Sequence, residues 1–412
     1  MHSMELLIVL NLIIKLENIN LKLIKKKLDV DKVKTVGIIT FHNTINYGGI
    51  LQTYALQKVI REMGYDVENI NYVNNEKTYA KYSKKRRILQ YIWRNIFCPL
   101  FGGAERKKKT NEFREKYIKL SKNVHSIDGI VHPSVIYDMY ITGSDQVWNF
   151  HLTGNDSAYF LDFAPREKKR VSYAASFGFS QLPDNQKERY SELISKFDAL
   201  SVREIQGKEI INSLLKNKQV SVVLDPTLLL DKKEWAELLG NTEVCNEEGY
   251  ILCYYMPGDK VLTDGIKAIA DKLSRRTGKK VINIGKKEYN KLMFWEVNLT
   301  SEGPLEFINL FKNASYIVTN SFHGTAFSII FKKEFFIPEN KKMTGVKQLN
   351  SRIISLLSIL ELSNRLVPVD QIKNTAYDKF SEIDYKNVYS LLNVEKDNSL
   401  KFLTTILKEE QQ

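Results

Sequence analysis

The feature that most constrains this chain is a structural grammar that runs once, breaks at a proline and starts again. TVGIIT, from Thr35, reads as a buried strand, and the polar turn FHNTINYGG follows it. ILQTYALQKVIREMGY then sets Leu51, Tyr54, Ala55, Val59, Ile60 and Met63 at spacings of three and four, which is one buried face of a helix. Gly64 ends that helix and DVENINYV supplies the next strand. Such a βαβ unit builds parallel sheet. The pattern predicts further strands at 135–142, 170–176, 199–202 and 221–224, with helices at 187–197 and 208–216. Pro226 cannot sit inside a central strand, so DPTLLL (225–230) reads as a crossover. Beyond it the alternation restarts: a helix near Trp235, then strands at 250–256, 281–285, 315–320 and 334–338 between helices at 260–275, 304–312, 322–331 and 350–360.

The expected organisation is therefore an N-terminal extension (1–34), an α/β domain over 35–224, a second over 225–370, and a helical tail over 371–412, part of which can return to brace the first domain. The length of 412 residues suits two domains of ordinary size. Two doubly wound domains face each other across a cleft at the carboxyl ends of their strands, where ligands bind.

Composition narrows the class. With 43% apolar and 26% charged residues the chain is a globular protein and not a disordered one. Its three cysteines, Cys98, Cys245 and Cys253, make no CxxC pair, which excludes a disulfide framework and a cysteine-based metal site. The apolar run Leu6–Ile14 falls short of the roughly twenty residues that cross a bilayer, and it lacks the flanks of a signal peptide. A cytoplasmic protein is expected, at most peripheral at the inner membrane surface. The net charge of +13 is concentrated between Lys81 and Lys109, where ten Lys or Arg stand against one acid, Glu105. That block is either a solvated face or a surface for a polyanion: nucleic acid, anionic lipid or a phosphate-bearing substrate. Its apolar residues Ile88, Leu89, Ile92, Trp93, Ile96 and Phe97 favour an amphipathic helix lying on a membrane or on the body. No nucleic-acid-binding motif is present, so nucleic acid is not an expected partner.

Three strand-to-helix turns carry chemistry. In HNTINYGG (42–49), Gly48 and Gly49 can turn backbone N–H groups toward an anion at a helix N-terminus, with Asn46 and Tyr47 as contacts; the competing reading is a plain structural turn. His42 ends the strand beside this turn. In TGSDQVWNF (142–150), Asp145 is either a cap or an acid or base in the cleft, and Trp148 is either a sugar-stacking ring or core. In TNSFHGTAF (319–327), Asn320 and Ser321 lead into a helix with His323 and Gly324 in its first turn. His323 is the sharpest position: a catalytic or phosphate-binding group, or a histidine satisfied by backbone. Arg203, at the end of the short strand SVR, offers a bidentate clamp for carboxylate or phosphate; Arg352 and Arg365 are less constrained alternatives.

Taken in order, NYGGILQTYALQ, ITGSDQVWN, YAASFG, SVRE, VVLDPTLLL and NSFHGTAFSIIF resemble the polysaccharide pyruvyl transferase family over about residues 35–365. The resemblance implies two Rossmann-like domains similar to the B type of glycosyltransferase. It also implies transfer of pyruvate from phosphoenolpyruvate onto sugar hydroxyls as a ketal. It places the family's active histidine on His323 and a donor-binding arginine on Arg203, and leaves a further basic residue among Lys341, Lys342 and Arg352. Phosphoenolpyruvate bears a carboxylate and a phosphate, so it asks for guanidinium and N–H donors; no metal or other cofactor is demanded, since the chain supplies its own positive charge. The acceptor is a sugar or lipid-linked saccharide. A glycosyltransferase using a nucleotide sugar is the main rival.

Overall fold

The computed structural model describes residues 34–72, 103–122, 136–240, 249–256, 259–284, 296–340, 351–374 and 382–408. The N-terminal extension up to residue 33, most of the basic block and Lys341 and Lys342 lie outside them. Among the described residues two six-stranded sheets form, and every strand pairing is parallel.

The first sheet contains β1 (Thr35–Ile39), β2 (Asp66–Asn69), β3 (Met139–Thr142), β4 (Lys169–Ala175), β5 (Ala199–Val202) and β6 (Val220–Val222), in the order β2-β1-β3-β4-β5-β6. The second contains β7 (Ile251–Tyr254), β8 (Val281–Ile284), β9 (Glu296–Leu299), β10 (Tyr316–Thr319), β11 (Glu334–Glu339) and β12 (Leu366–Pro368), in the order β12-β11-β10-β7-β8-β9. Strands such as β3, β4 and β7 are buried along their whole length, as parallel strands covered on both faces must be.

The helices follow the apolar periodicity: α1 (Tyr47–Glu62), α2 (Gly103–Tyr117), α3 (Asp184–Ser195), α4 (Ile205–Leu214), α5 (Lys232–Glu237), α6 (Lys260–Thr277), α7 (Pro304–Asn313), α8 (Phe322–Ile330), α9 (Ser351–Ile359) and α10 (Tyr385–Lys408). Besides these, Phe150–Thr153 makes one helical turn. Three elements escape the sequence pattern. Strand β9 carries only two apolar residues, Val297 and Leu299, and β12 is three residues long and ends in Pro368, tolerable only because it lies at the sheet edge. Helix α2 buries only Thr110 and Phe113, too few to generate a helical period.

The two sheets share packing. Trp235 on α5 is fully buried, its ring 5.8 Å from Tyr54 of α1 and 5.1 Å from Phe327 of α8, so one side chain ties both halves. Truncation of such a ring costs about 3–5 kcal/mol. Helix α10 also spans them: Ser399 Oγ accepts the Leu224 N–H at 2.9 Å on one side, and Tyr389 OH donates to the Ile330 carbonyl at 2.8 Å on the other. No helix among the described residues is long and apolar enough to cross a membrane.

Candidate functional site

In each sheet the chain leaves neighbouring strands in opposite directions at one point, the place where open parallel sheets bind their ligands. In the first sheet that point lies between β1 and β3, so the turns after them, 40–46 and 143–149, flank it. In the second it lies between β7 and β10. The Asn320 side chain closes this second point: its Oδ1 accepts the Met256 N–H at 2.7 Å and its Nδ2 donates to the Met256 carbonyl at 3.2 Å. His323, on α8 just after β10, stands beside Asp225 and against Gly48 of α1, so the second half meets the first at this residue.

Asp225 lies at the centre of the meeting point. It is 1% exposed, and it caps the 3-10 turn Pro226–Leu229 through Oδ1, which accepts the Thr227 N–H at 3.0 Å and the Thr227 hydroxyl at 2.7 Å. Oδ2 accepts Ser144 Oγ–H and an Arg203 NH1 hydrogen, each at 2.7 Å, and stands 3.7 Å from His323 Nε2. Burial pushes this carboxyl up, but His323, Arg203 and the Thr227 N–H outweigh it and hold the group far below the usual carboxylate range. Arg203 is 5% exposed, with Phe322 under its guanidinium at 4.4 Å and Asp145 Oδ1 at 3.6 Å from NH2. Burial lowers the Arg203 pKa, while Asp225, Asp145 and Glu204 raise it above the ordinary arginine value. Arg352, on α9, is pushed down to about 10, chiefly by burial and then by the Arg203 charge. Four buried atoms in this cluster, Arg203 Nε and NH2, Arg352 Nε and His323 Nε2, have no hydrogen-bond partner among the described residues.

Gly48 explains how His323 fits. A Cβ there would lie 1.9 Å from His323 Nδ1 and 2.3 Å from Cγ, so only glycine lets α1 approach the imidazole. Gly324 is likewise forced, since a Cβ would lie 2.2 Å from Thr319 Oγ1. Asp145 takes φ +69°, a left-handed conformation, and its Oδ1 accepts the Gln146 N–H at 2.9 Å. A Cβ at Gly49 would lie 3.5 Å from Asp145 Oδ2, so this carboxylate borders the same space.

The structure thus brings together His323, Arg203, Arg352, Asp145 and Gly48, and it corrects several expectations. The N–H groups of Gly48 and Gly49 are not turned toward an anion: Asn46 Oδ1 accepts both, at 3.0 and 3.4 Å, as the N-cap of α1. Asn46 is therefore a cap, and the glycines serve close approach. Ser321 is the cap of α8 and accepts the Gly324 N–H at 3.4 Å; with Asn320 bonded to Met256, these three residues build the turn. Trp148 is no stacking platform. It is fully buried, parallel to Phe160 at 5.6 Å, and its Nε1–H goes to the Tyr159 carbonyl. Tyr47 is likewise not open to an acceptor: 1% exposed, it stacks on Phe307 at 4.6 Å, lies under Arg106 at 4.0 Å and donates to the Glu302 carbonyl at 2.8 Å, sealing the two halves. His42 is buried between the Thr40 carbonyl and Asn71, and burial lowers its pKa. Arg365 pairs with Glu334 away from the cluster.

Sequence reasoning missed Asp225, Ser144 and Glu204. Glu204, fully buried, accepts Ser176 Oγ–H and the Phe177 N–H through Oε1. The available signal was an acid immediately before Pro226 and another immediately after Arg203, just past the ends of β6 and β5.

Among solved structures the chain is similar to UDP-N-acetylglucosamine 2-epimerase from Rickettsia bellii (8% identity over 90% of this chain and 96% of that one, TM-score 0.48). It is also similar to Arabidopsis thaliana UGT89C1 complexed with UDP-L-rhamnose (10% identity, 90% and 98%, TM-score 0.49). A third likeness is to UDP-GlcNAc 2-epimerase from Methanocaldococcus jannaschii (12% identity, 90% and 99%, TM-score 0.48). No curated protein sequence matches the chain. The family description "Polysaccharide pyruvyl transferase" matches residues 46–342, a span that takes in every strand of the two sheets but β1 and β12 and every residue of the cluster except Arg352, and this chain belongs to that family.

Proposed function

We propose that this protein transfers pyruvate from phosphoenolpyruvate onto two hydroxyls of a sugar, as a ketal, in the building of a cell-surface polysaccharide. The observation that carries the reading is the set of buried donors on Arg203, Arg352 and His323 that lack hydrogen-bond partners among the described residues. Buried donors of this kind are costly unless something accepts from them, and a phosphate with an adjacent carboxylate offers enough oxygens to do so. The Arg352 guanidinium, pushed down to about 10 by burial and by the Arg203 charge, suits the same reading, because an anion beside both arginines would offset their repulsion.

In this reading Arg203 and Arg352 hold the donor, and His323 delivers a proton to its methylene carbon. One acceptor hydroxyl bonds to the central carbon and gives its proton to a base, for which Asp145 is the carboxylate at hand. A second hydroxyl then displaces the phosphate at the same carbon, and inorganic phosphate leaves with that hydroxyl's proton. The basic residues of α2 and the segment before it suit an anionic or lipid-linked acceptor at the inner membrane surface, with the enzyme in the cytoplasm. Incubation with phosphoenolpyruvate and a panel of lipid- or nucleotide-linked sugars, following phosphate release, tests this. Release that depends on the acceptor supports it. Sugar transfer from a nucleotide sugar with no consumption of phosphoenolpyruvate would replace it with glycosyl transfer.

A further inference from the structure

An anion site has little electrostatic use for a buried carboxylate, yet Asp225 stands in the middle of this one. We propose that Asp225 is a positioning residue, whose Oδ2 atom aligns the Arg203 guanidinium of the first half with the His323 imidazole of the second. The inference rests on the reading that this cluster takes an anionic donor, and it adds a residue which that reading does not need.

Three observations carry it. The carboxylate cannot swing, because Oδ1 is anchored twice to Thr227 in its own turn, by the N–H at 3.0 Å and the hydroxyl at 2.7 Å. With Oδ1 held, Oδ2 faces three strand-end groups at once: Ser144 Oγ after β3 and Arg203 NH1 after β5, both at 2.7 Å, and His323 Nε2 on α8 at 3.7 Å. A guanidinium is rigid and planar, so committing NH1 to Asp225 and resting the plane on Phe322 at 4.4 Å fixes where NH2 and Nε lie. Those are the atoms without hydrogen-bond partners among the described residues. On the other side, Gly48 leaves the imidazole no room to retreat: its Cβ position is 1.9 Å from Nδ1. The imidazole is thus held between Asp225 and α1.

The sign of one substitution separates positioning from simple proximity. Asp225→Asn keeps the shape and an oxygen for Thr227, but it presents an amide N–H₂ to the donors on Arg203 and Ser144. A carboxylate that merely sat nearby would repel an anion, so its neutralisation would tighten binding. A positioning carboxylate gives the opposite result. Calorimetric titration with inorganic phosphate and with phosphoenolpyruvate, on wild type and Asp225→Asn shown to be folded by circular dichroism, is expected to show phosphate binding about tenfold weaker in the variant. Turnover should fall by at least as much. Phosphate affinity equal to or tighter than wild type in the folded variant would overturn the proposal, as would a lowered unfolding temperature accompanied by unchanged affinity and turnover. If Asp225→Asn does not fold, Ser144→Ala decides, since it removes one hydrogen bond to Oδ2 and leaves the charge. Phosphate binding weakened about two- to fivefold supports positioning, and unchanged affinity overturns it. Wild-type protein that binds phosphate but not phosphoenolpyruvate would refute the donor reading while leaving this test intact.

Discussion

Gly48→Ala puts one methyl group where the structure has least space for it. The new Cβ would lie 1.9, 2.3 and 2.5 Å from His323 Nδ1, Cγ and Cε1, whereas ordinary contact begins at 3.4 Å. The imidazole must therefore retreat by 3.4 − 1.9 = 1.5 Å, or α1 must move by a similar amount. Two effects on stability compete. Alanine gains about 1 kcal/mol over glycine in a helix, and overpacking a closed site costs about 1–3 kcal/mol. The net loss is at most about 2 kcal/mol, and the variant should fold. Function is far more sensitive, because displacement of a reacting group by about 1 Å costs on the order of 10²-fold in rate. Turnover of phosphoenolpyruvate, measured as phosphate release beside urea unfolding of the same preparation, should fall by about 10²-fold with a small change in stability. Gly49→Ala is the matched control: its closest contact is the Thr44 methyl at 2.8 Å, and it should lose far less activity. A Gly48→Ala enzyme with more than half of wild-type turnover would mean that the place of the imidazole does not limit the reaction.

Other expectations are as direct. His323→Gln keeps a hydrogen-bonding side chain but cannot donate a proton at neutral pH, so turnover should fall about 10²–10⁴-fold with phosphoenolpyruvate affinity kept within a few-fold; near-wild-type turnover would remove the acid role. Arg203→Lys keeps the charge and loses the planar fork, so donor affinity by calorimetry should weaken by about tenfold, and an unchanged affinity would contradict the clamp. The Asp225 carboxyl lies below its ordinary value in the fold, so its stabilisation is complete above the unfolded value of roughly 4 and fades as the pH falls below that. Urea unfolding between about pH 5 and pH 2 should therefore show wild type losing more stability than Asp225→Asn, and parallel losses would contradict the assignment. Charge reversal at Arg86, Arg87, Lys107 and Lys108, the last two exposed on α2, should weaken binding to anionic vesicles, and added salt should mimic it. Unchanged vesicle binding would make the block a solvated face.

What could be read from the residues follows from the range of the interactions involved. Strands such as TVGII and helices such as α1 announce themselves because their buried faces repeat at short spacing. Helix α2 is silent because its anchor to the second half is an ion pair, Lys109 to Glu306 at 2.6 Å, and not an apolar face. His323 and Arg203 were legible as strand-end residues, but the purposes of their neighbours were not. Asp225 meets Ser144 across 81 positions and Arg203 across 22, and no local pattern records such pairings. Gly48 looked like an anion-binding glycine because local geometry permits it; the structure gives its N–H to Asn46 and its open side to His323. Trp148 and Tyr47 could not be sorted into core or surface by their own sequence, since what covers them comes from Phe160 and Tyr159 in one case and from Phe307 and Glu302 in the other.

The donor is proposed to sit between the two halves against Arg203, Arg352 and His323. The most direct measurement is a crystal structure of the wild-type protein with phosphoenolpyruvate. Phosphate and carboxylate oxygens are expected within about 3 Å of Arg203 Nε or NH2 and of Arg352, with the methylene carbon facing His323. Phosphoenolpyruvate bound elsewhere, or a nucleotide sugar seated on these same groups while phosphoenolpyruvate is excluded, would contradict this placement.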